Sequence, residues 1–187
     1  MKLTADESLN LLMEGNERYV QDTESVGTTA DIRAGLTGGQ EPHAIILSCA
    51  DSRVIPESIF DANAGEIFVA RVAGNVANIS SVASIEYAVA HIGCKLIVVL
   101  GHDSCGAVTA ALAGGDNGHN LNHLLYHITP AIHNGESREV NDVVKRNAIA
   151  NAKALVERSD IISNATSNGL KIVPAYYDFH TGKVEVL

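Results

Sequence analysis

The 187-residue sequence contains no apolar run approaching the eighteen or so residues that a membrane span requires, which excludes a helical membrane anchor. Its start, Met1-Lys-Leu-Thr-Ala-Asp-Glu7, lacks an apolar signal core, so the expected location is the cytoplasm. Positive charge is also scarce. Thirteen Lys and Arg face 22 Asp and Glu, a formal charge of -9 at pH 7, which disfavours non-specific binding to nucleic acid and favours solubility. Cysteine is limited to three residues, an odd number that argues against a disulfide framework and for a reducing compartment. Internal repeats and low-complexity tracts are missing too. With 46% hydrophobic residues, the chain suits one domain that buries roughly two-thirds of its unfolded surface.

Within this plain composition, two short segments carry chemistry: Cys49-Ala-Asp51-Ser-Arg53 and Gly101-His102-Asp103-Ser-Cys105-Gly106. Together they supply two thiolates, an imidazole, and a carboxylate two positions from a guanidinium. Zinc takes four ligands, so Cys49, His102 and Cys105 leave one position open, the mark of a catalytic site rather than a closed structural one. Each segment follows an apolar run, Ala44 to Ser48 or Leu96 to Leu100, that reads as a strand buried on both faces of a parallel sheet. Ligands collect beyond the carboxyl ends of such strands, so residues distant in sequence can converge there. A helix is expected from near Cys105 through Leu112, and a thiol at a helix N-terminus has a lowered pKa, as zinc requires. Cys94 is expected to be a small buried hydrophobe. A salt bridge to Arg53 would hold Asp51 off the metal and leave an oxygen free to orient a bound water.

These segments resemble the β-class carbonic anhydrases. The similarity extends through Glu66-Ile-Phe-Val-Ala-Arg71-Val-Ala-Gly74-Asn75, Ser84-Ile-Glu-Tyr87 and Tyr177-Asp-Phe-His-Thr-Gly182. By that resemblance Cys49, His102 and Cys105 are the Zn2+ ligands, Asp51 and Arg53 the catalytic dyad, and Gln40, Phe68 and Tyr87 the substrate-pocket residues. In the family such pocket residues can reach the metal from a neighbouring subunit. Some members also hold bicarbonate at an inhibitory site built from a Trp, an Arg and a Tyr. Here Ile46 occupies the Trp position and the chain has no Trp, although Arg71 and Tyr177 are possible counterparts of the other two. The implied subtype keeps its water on zinc and Asp51 on Arg53.

The implied activity is reversible hydration of carbon dioxide to bicarbonate and a proton through zinc-bound hydroxide. Two thiolates neutralise zinc more fully than three imidazoles, so the bound water should be less acidic than the pKa of about 7 found with three His, and activity should rise above neutral pH. Two alternatives stay open on this sequence. One is hydrolysis of carbonyl sulfide or carbon disulfide by the same ligands; the other is a non-enzymatic, zinc-stabilised binding protein with a filled fourth position.

The remaining sequence reads as helices around a central, mostly parallel sheet, an α/β single domain over 1-187. Residues 1-39 are expected to form an N-terminal helical arm and linker, and 40-187 the catalytic core. A capping box, Thr4-x-x-Glu7, opens a helix with Leu9, Leu12, Met13, Tyr19 and Val20 on one face. The polar, Gly-rich stretch from Thr23 to Gly39 reads as a tether, and the helix as a cover for a second subunit in a homodimer or tetramer. Further helices are expected over Ile79 to Ile92, Val140 to Arg158 and Ile161 to Asn168, and strands over Leu170 to Phe179 and Lys183 to Leu187. His123 and His127 should share a helical face, where metal binding would be adventitious.

Overall fold

A computed structural model describes residues 2–187. In chain order the elements are α1 (Ala5–Val20), α2 (Ala30–Gly35), β1 (Ala44–Ser48), α3 (Pro56–Ile59), β2 (Ile67–Arg71), α4 (Ile79–Tyr87), β3 (Leu96–His102) and α5 (Gly106–Ala113). The chain continues through α6 (His119–Tyr126), α7 (Thr129–His133), α8 (Val140–Arg158), α9 (Asp160–Thr166), β4 (Lys171–Tyr177) and β5 (Val184–Val186). The five strands form one sheet in the order β2-β1-β3-β4-β5, parallel except for the antiparallel edge strand β5. The expected α/β architecture is thus present, and the expected strands fall within a few residues of their observed ends.

Alternation along β1 divides the core into two faces. Ala44 and Ile46 point into one cluster with Ala5 and Leu12 of α1 and Ile59 of α3. Ile45 and Leu47 point into the other, with Val82 and Ile85 of α4, Ala152 and Leu155 of α8 and Ile162 of α9. A parallel sheet needs cover on both faces, which explains why β1 and β3 are apolar without a polar alternate. A third cluster closes the carboxyl end of the strands, where Cys49 and Cys105 meet Val76, Val108, Ile128 and Val143. The helix after β2 is α4 followed by a π-helical turn, Ala88–Ile92, that ends at the left-handed Gly93 (φ 80°).

The reading of α1 as a cover for another subunit is corrected. Its capping box is present, with the Glu7 amide donating to Thr4 and the Thr4 amide to Glu7. Its apolar stripe, however, lies on the chain's own core: Leu12 is 1% exposed, and Leu9, Met13 and Tyr19 pack beside it. Asn16 fastens the helix by donating to the carbonyls of Ile59 (3.1 Å) and Gly182 (2.9 Å) and accepting from the Val184 amide (2.8 Å). A Cβ on Gly15 would stand 1.9 Å from the Phe60 carbonyl oxygen, so only glycine permits this approach. The tether is pinned as well. It contains α2, capped by Thr29, and its Ser25 amide donates to Asp61 (2.7 Å).

Candidate metal centre

Two neighbouring strands deliver the candidate ligands. Cys49 is the first residue beyond β1, His102 ends β3, and Cys105 is the N-cap of α5. Ser104, at a positive φ of 53°, makes the tight turn between the last two, and its amide donates to Asn141 (2.9 Å). The three ligand atoms lie within 4.8 Å of one another, all on buried residues. Cys49 Sγ and Cys105 Sγ are 4.0 Å apart. Two sulfurs about 2.3 Å from a tetrahedral ion stand about 3.8 Å apart, so the pair needs little adjustment to hold zinc.

The imidazole is also prepared for a metal. His102 Nδ1 donates to the Asp103 carbonyl at 2.8 Å, the arrangement that leaves the Nε2 lone pair free for a metal. Nε2 is buried without a hydrogen-bond partner. A buried polar atom without a partner is costly, and a bound cation would satisfy it. Of the two thiols, Cys49 is the one arranged to lose its proton. Cys105 donates toward Cys49, whose sulfur also accepts from the amides of Gly74 (3.3 Å) and Asp51 (3.4 Å). These donors hold the Cys49 thiol below its ordinary range against the opposing effect of burial, while Cys105 is pushed up by sharing its proton with Cys49 and by burial.

Asp51 and Arg53 meet as expected. Arg53 donates from its amide and Nε to Asp51 Oδ1 (both 3.0 Å) and from Nη2 to Oδ2 (2.7 Å). The guanidinium, followed by the Arg53 amide, holds the Asp51 carboxyl well below the usual carboxylate range despite partial burial. Its Oδ2 stands 3.9 Å from His102 Nε2, at the mouth of the ligand cluster. Arg71 fixes the backbone of this loop, donating to the carbonyls of Cys49 (3.0 Å) and Asp51 (2.6 Å).

The three pocket candidates are not gathered here. Gln40 is exposed and precedes β1, at the strand end opposite Cys49. Phe68 lies on the edge strand β2 and lines a surface cavity of about 330 Å³ with Arg71, Val72 and Ser84. Tyr87 is 51% exposed, its ring against His91 (5.2 Å). The suggested remnants of a bicarbonate site are likewise committed elsewhere: Arg71 to the loop carbonyls, and the Tyr177 hydroxyl to that of Tyr19 (3.0 Å). His123 and His127 do share a face, with rings 5.4 Å apart, but among the described residues only Cys49, His102 and Cys105 form a group of three possible ligands.

Sequence reading gave no role to the Gly74 amide, to the buried Asn147 and Asn151 of α8, or to Phe179. Asn147 donates to the Gly74 carbonyl (2.8 Å), and Asn151 accepts from the Ala77 amide (2.7 Å), which holds the segment whose Gly74 amide reaches Cys49. The available signal was two Asn residues one helical turn apart on the core face of α8.

Fold and site together define an α/β enzyme with a thiol- and imidazole-lined metal centre at the carboxyl ends of parallel strands. Comparison with known proteins narrows that class. The family model for carbonic anhydrase matches residues 44–184. Carbonic anhydrase 2 of Mycobacterium tuberculosis is 41% identical over 182 residues, covering 92% of this chain and 87% of the relative. The carbonic anhydrase of Mycolicibacterium smegmatis is 36% identical, covering 94% and 89%. A tetrameric β-carbonic anhydrase from Sordaria macrospora superposes with a TM-score of 0.77 at 27% identity, covering 97% and 94%. The chain belongs to the β-carbonic anhydrase family.

Proposed function

We propose that the chain is a zinc enzyme that hydrates carbon dioxide reversibly to bicarbonate and a proton. The observation that carries this reading is Asp51, a carboxylate 3.9 Å from a partnerless ligand nitrogen and held in place by both arms of Arg53. A purely structural metal site has no use for such a restrained carboxylate. Cys49, His102 and Cys105 would hold the zinc, which when bound supplies Lewis acidity that makes water a nucleophile near neutral pH. Arg53 occupies Asp51 Oδ1 twice and Oδ2 once, so Oδ2 retains acceptor capacity on the cluster side. A water donating to Oδ2 has its oxygen lone pair turned away from the carboxylate and toward an incoming carbon. Val76 and Val108, buried beside Cys49 and Cys105, surround the thiols with apolar side chains.

Gln40, Phe68 and Tyr87 lie apart from the cluster of their own chain, so we assign them to the pocket of a second copy in a homodimer or tetramer. Support comes from the open edge of β2, the half-exposed Tyr87 ring and the tetrameric state of the Sordaria macrospora relatives. A reducing, cytoplasmic setting follows from the same chemistry, because two thiols 4.0 Å apart at a metal site must stay unoxidised. No described helix is long and apolar enough to cross a membrane. The test is stopped-flow hydration of carbon dioxide beside hydrolysis of carbonyl sulfide, using zinc-loaded protein. Fast hydration is expected; hydrolysis of carbonyl sulfide alone would overturn the assignment.

A further inference from the structure

Arg53 is more than half exposed, with 53% of its side-chain surface open to water. Exposed ion pairs contribute little, whereas holding a long arginine side chain in one place costs rotamer entropy. The bidentate pair alone is therefore a weak restraint on a side chain that has to stay in one place. A second restraint lies beneath it, since the Phe179 ring centroid is 4.5 Å from Arg53 Cζ. A cation over an aromatic face is attracted by the ring quadrupole.

The ring is itself fixed on several sides. Its centroid is 5.4 Å from the His102 imidazole and 5.2 Å from the Tyr177 ring, the latter at 82°. Its backbone amide donates to Asp103 Oδ1 (3.3 Å), and Asp103 is 4% exposed. Asp103 also donates its amide to the Tyr177 carbonyl (3.1 Å) and accepts His102 Nδ1 at its own carbonyl (2.8 Å). Immediately downstream, Asp178 Oδ1 accepts from the amides of His180 (2.8 Å) and Thr181 (2.9 Å), which closes the turn that presents Phe179. One aromatic ring thus sets the guanidinium of the dyad in register with the candidate ligand His102.

From this geometry we infer that Phe179 is a positioning residue, which holds Arg53 in the orientation that keeps Asp51 restrained beside the metal centre. Its role is exerted through Arg53. Replacing it with leucine keeps apolar volume and removes the aromatic face. Tyrosine keeps both.

Two readouts on zinc-loaded protein test this. In side-chain 15N spectra, exchange of the Arg53 Nε proton with solvent is expected to speed up about fivefold in Phe179→Leu and to return to the wild-type rate in Phe179→Tyr. In carbon dioxide hydration, Phe179→Leu should lose about fivefold in kcat, and the same substitution in an Arg53→Ala background should lose nothing further. Because Asp51 and Arg53 form a catalytic dyad only under the function proposed above, the rate readout depends on that reading, while the exchange readout does not. Unchanged Arg53 exchange in Phe179→Leu would overturn the inference. So would an equal loss of rate with and without Arg53, since the ring would then act through His102 or the fold.

Discussion

The two ends of the sheet hold the same residue types in different surroundings, and Cys49 and Cys94 respond in opposite directions. At the carboxyl end, Cys49 and Cys105 lie beside His102; at the amino end, Cys94 lies near His43. Cys49 accepts hydrogen bonds from two backbone amides, and its thiol is held down. Cys94 instead donates to the Pro42 carbonyl (3.1 Å), and burial, partly offset by Lys2, pushes its thiol up to about 11. The difference comes from chain direction. In a parallel sheet the strands all end at one pole, where turns and helix N-termini present N–H groups; at the other pole helices end and present carbonyls. A thiol among amides is suited to bind a metal, and a thiol among carbonyls to pack as a hydrophobe.

The largest effects should come from exchanging these roles. Alanine at Cys49, His102 or Cys105 is expected to lower zinc content at least tenfold and to reduce hydration to background, whereas Cys94→Ala should leave both within about twofold. Metal analysis after dialysis decides this, and full zinc in any of the three ligand variants removes that residue from the set. Next comes the dyad. Asp51→Ala should retain zinc and lose about 10²-fold in rate, the order for losing the group that orients a reactant. Arg53→Ala should release Asp51 toward the ligand cluster, and a crystal structure with the carboxylate unmoved would contradict the restraint assigned to Arg53.

A smaller effect is expected one layer out. Asn147 is fully buried and its amide serves the Gly74 carbonyl, so Asn147→Ala strands that carbonyl and loosens the amide on Cys49. The expected result is a loss of about 1–3 kcal/mol in urea unfolding. Zinc retention should fall about 10- to 100-fold in chelator competition, as when the support of a ligand is removed. Stability lost without a change in zinc retention would make Asn147 a structural residue only.

The centre was legible in the sequence because its five residues sit at or just beyond the ends of two apolar strands, and parallel strands bring their carboxyl ends to one pole of the sheet. Asp51 and Arg53 are close in sequence, so their pairing needed only one turn. The parts missed by sequence reading depend on long-range contacts. Asn147 reaches Gly74, and Phe179 reaches Arg53, through packing that no periodicity encodes. The arm was misread for a related reason. An amphipathic stripe shows that α1 must be covered, not by what, and the identity of the cover rests on Gly15 and Asn16, whose partners Phe60, Ile59 and Gly182 are remote in sequence.

The weakest expected effect is the most selective probe of the amino end. An unfolded cysteine titrates near 9, and burial raises Cys94 to about 11 in the folded chain. Between these values the folded protein keeps a proton that the unfolded chain has lost. Stability from this group is therefore complete below pH 9 and is lost as pH rises through 11, with at most about 2–3 kcal/mol at stake. Tyr176, pushed up to about 12 by burial and nearby carboxylates, and Tyr177, raised by burial and by Tyr19, add losses of the same sign above their ordinary value of 10. From pH 9 the raised Cys105 thiol adds a loss of the same sign in the metal-free chain, so the interval from pH 9 to 10, below the tyrosines, belongs to the two buried thiols together. Urea unfolding of the metal-free wild type should show a falling midpoint across that interval, and Cys94→Ala should make the fall shallower there while leaving the fall above pH 10. An identical slope in both proteins would mean that the Cys94 thiol titrates alike folded and unfolded, and the contrast between the two ends of the sheet would then rest on Cys49 alone.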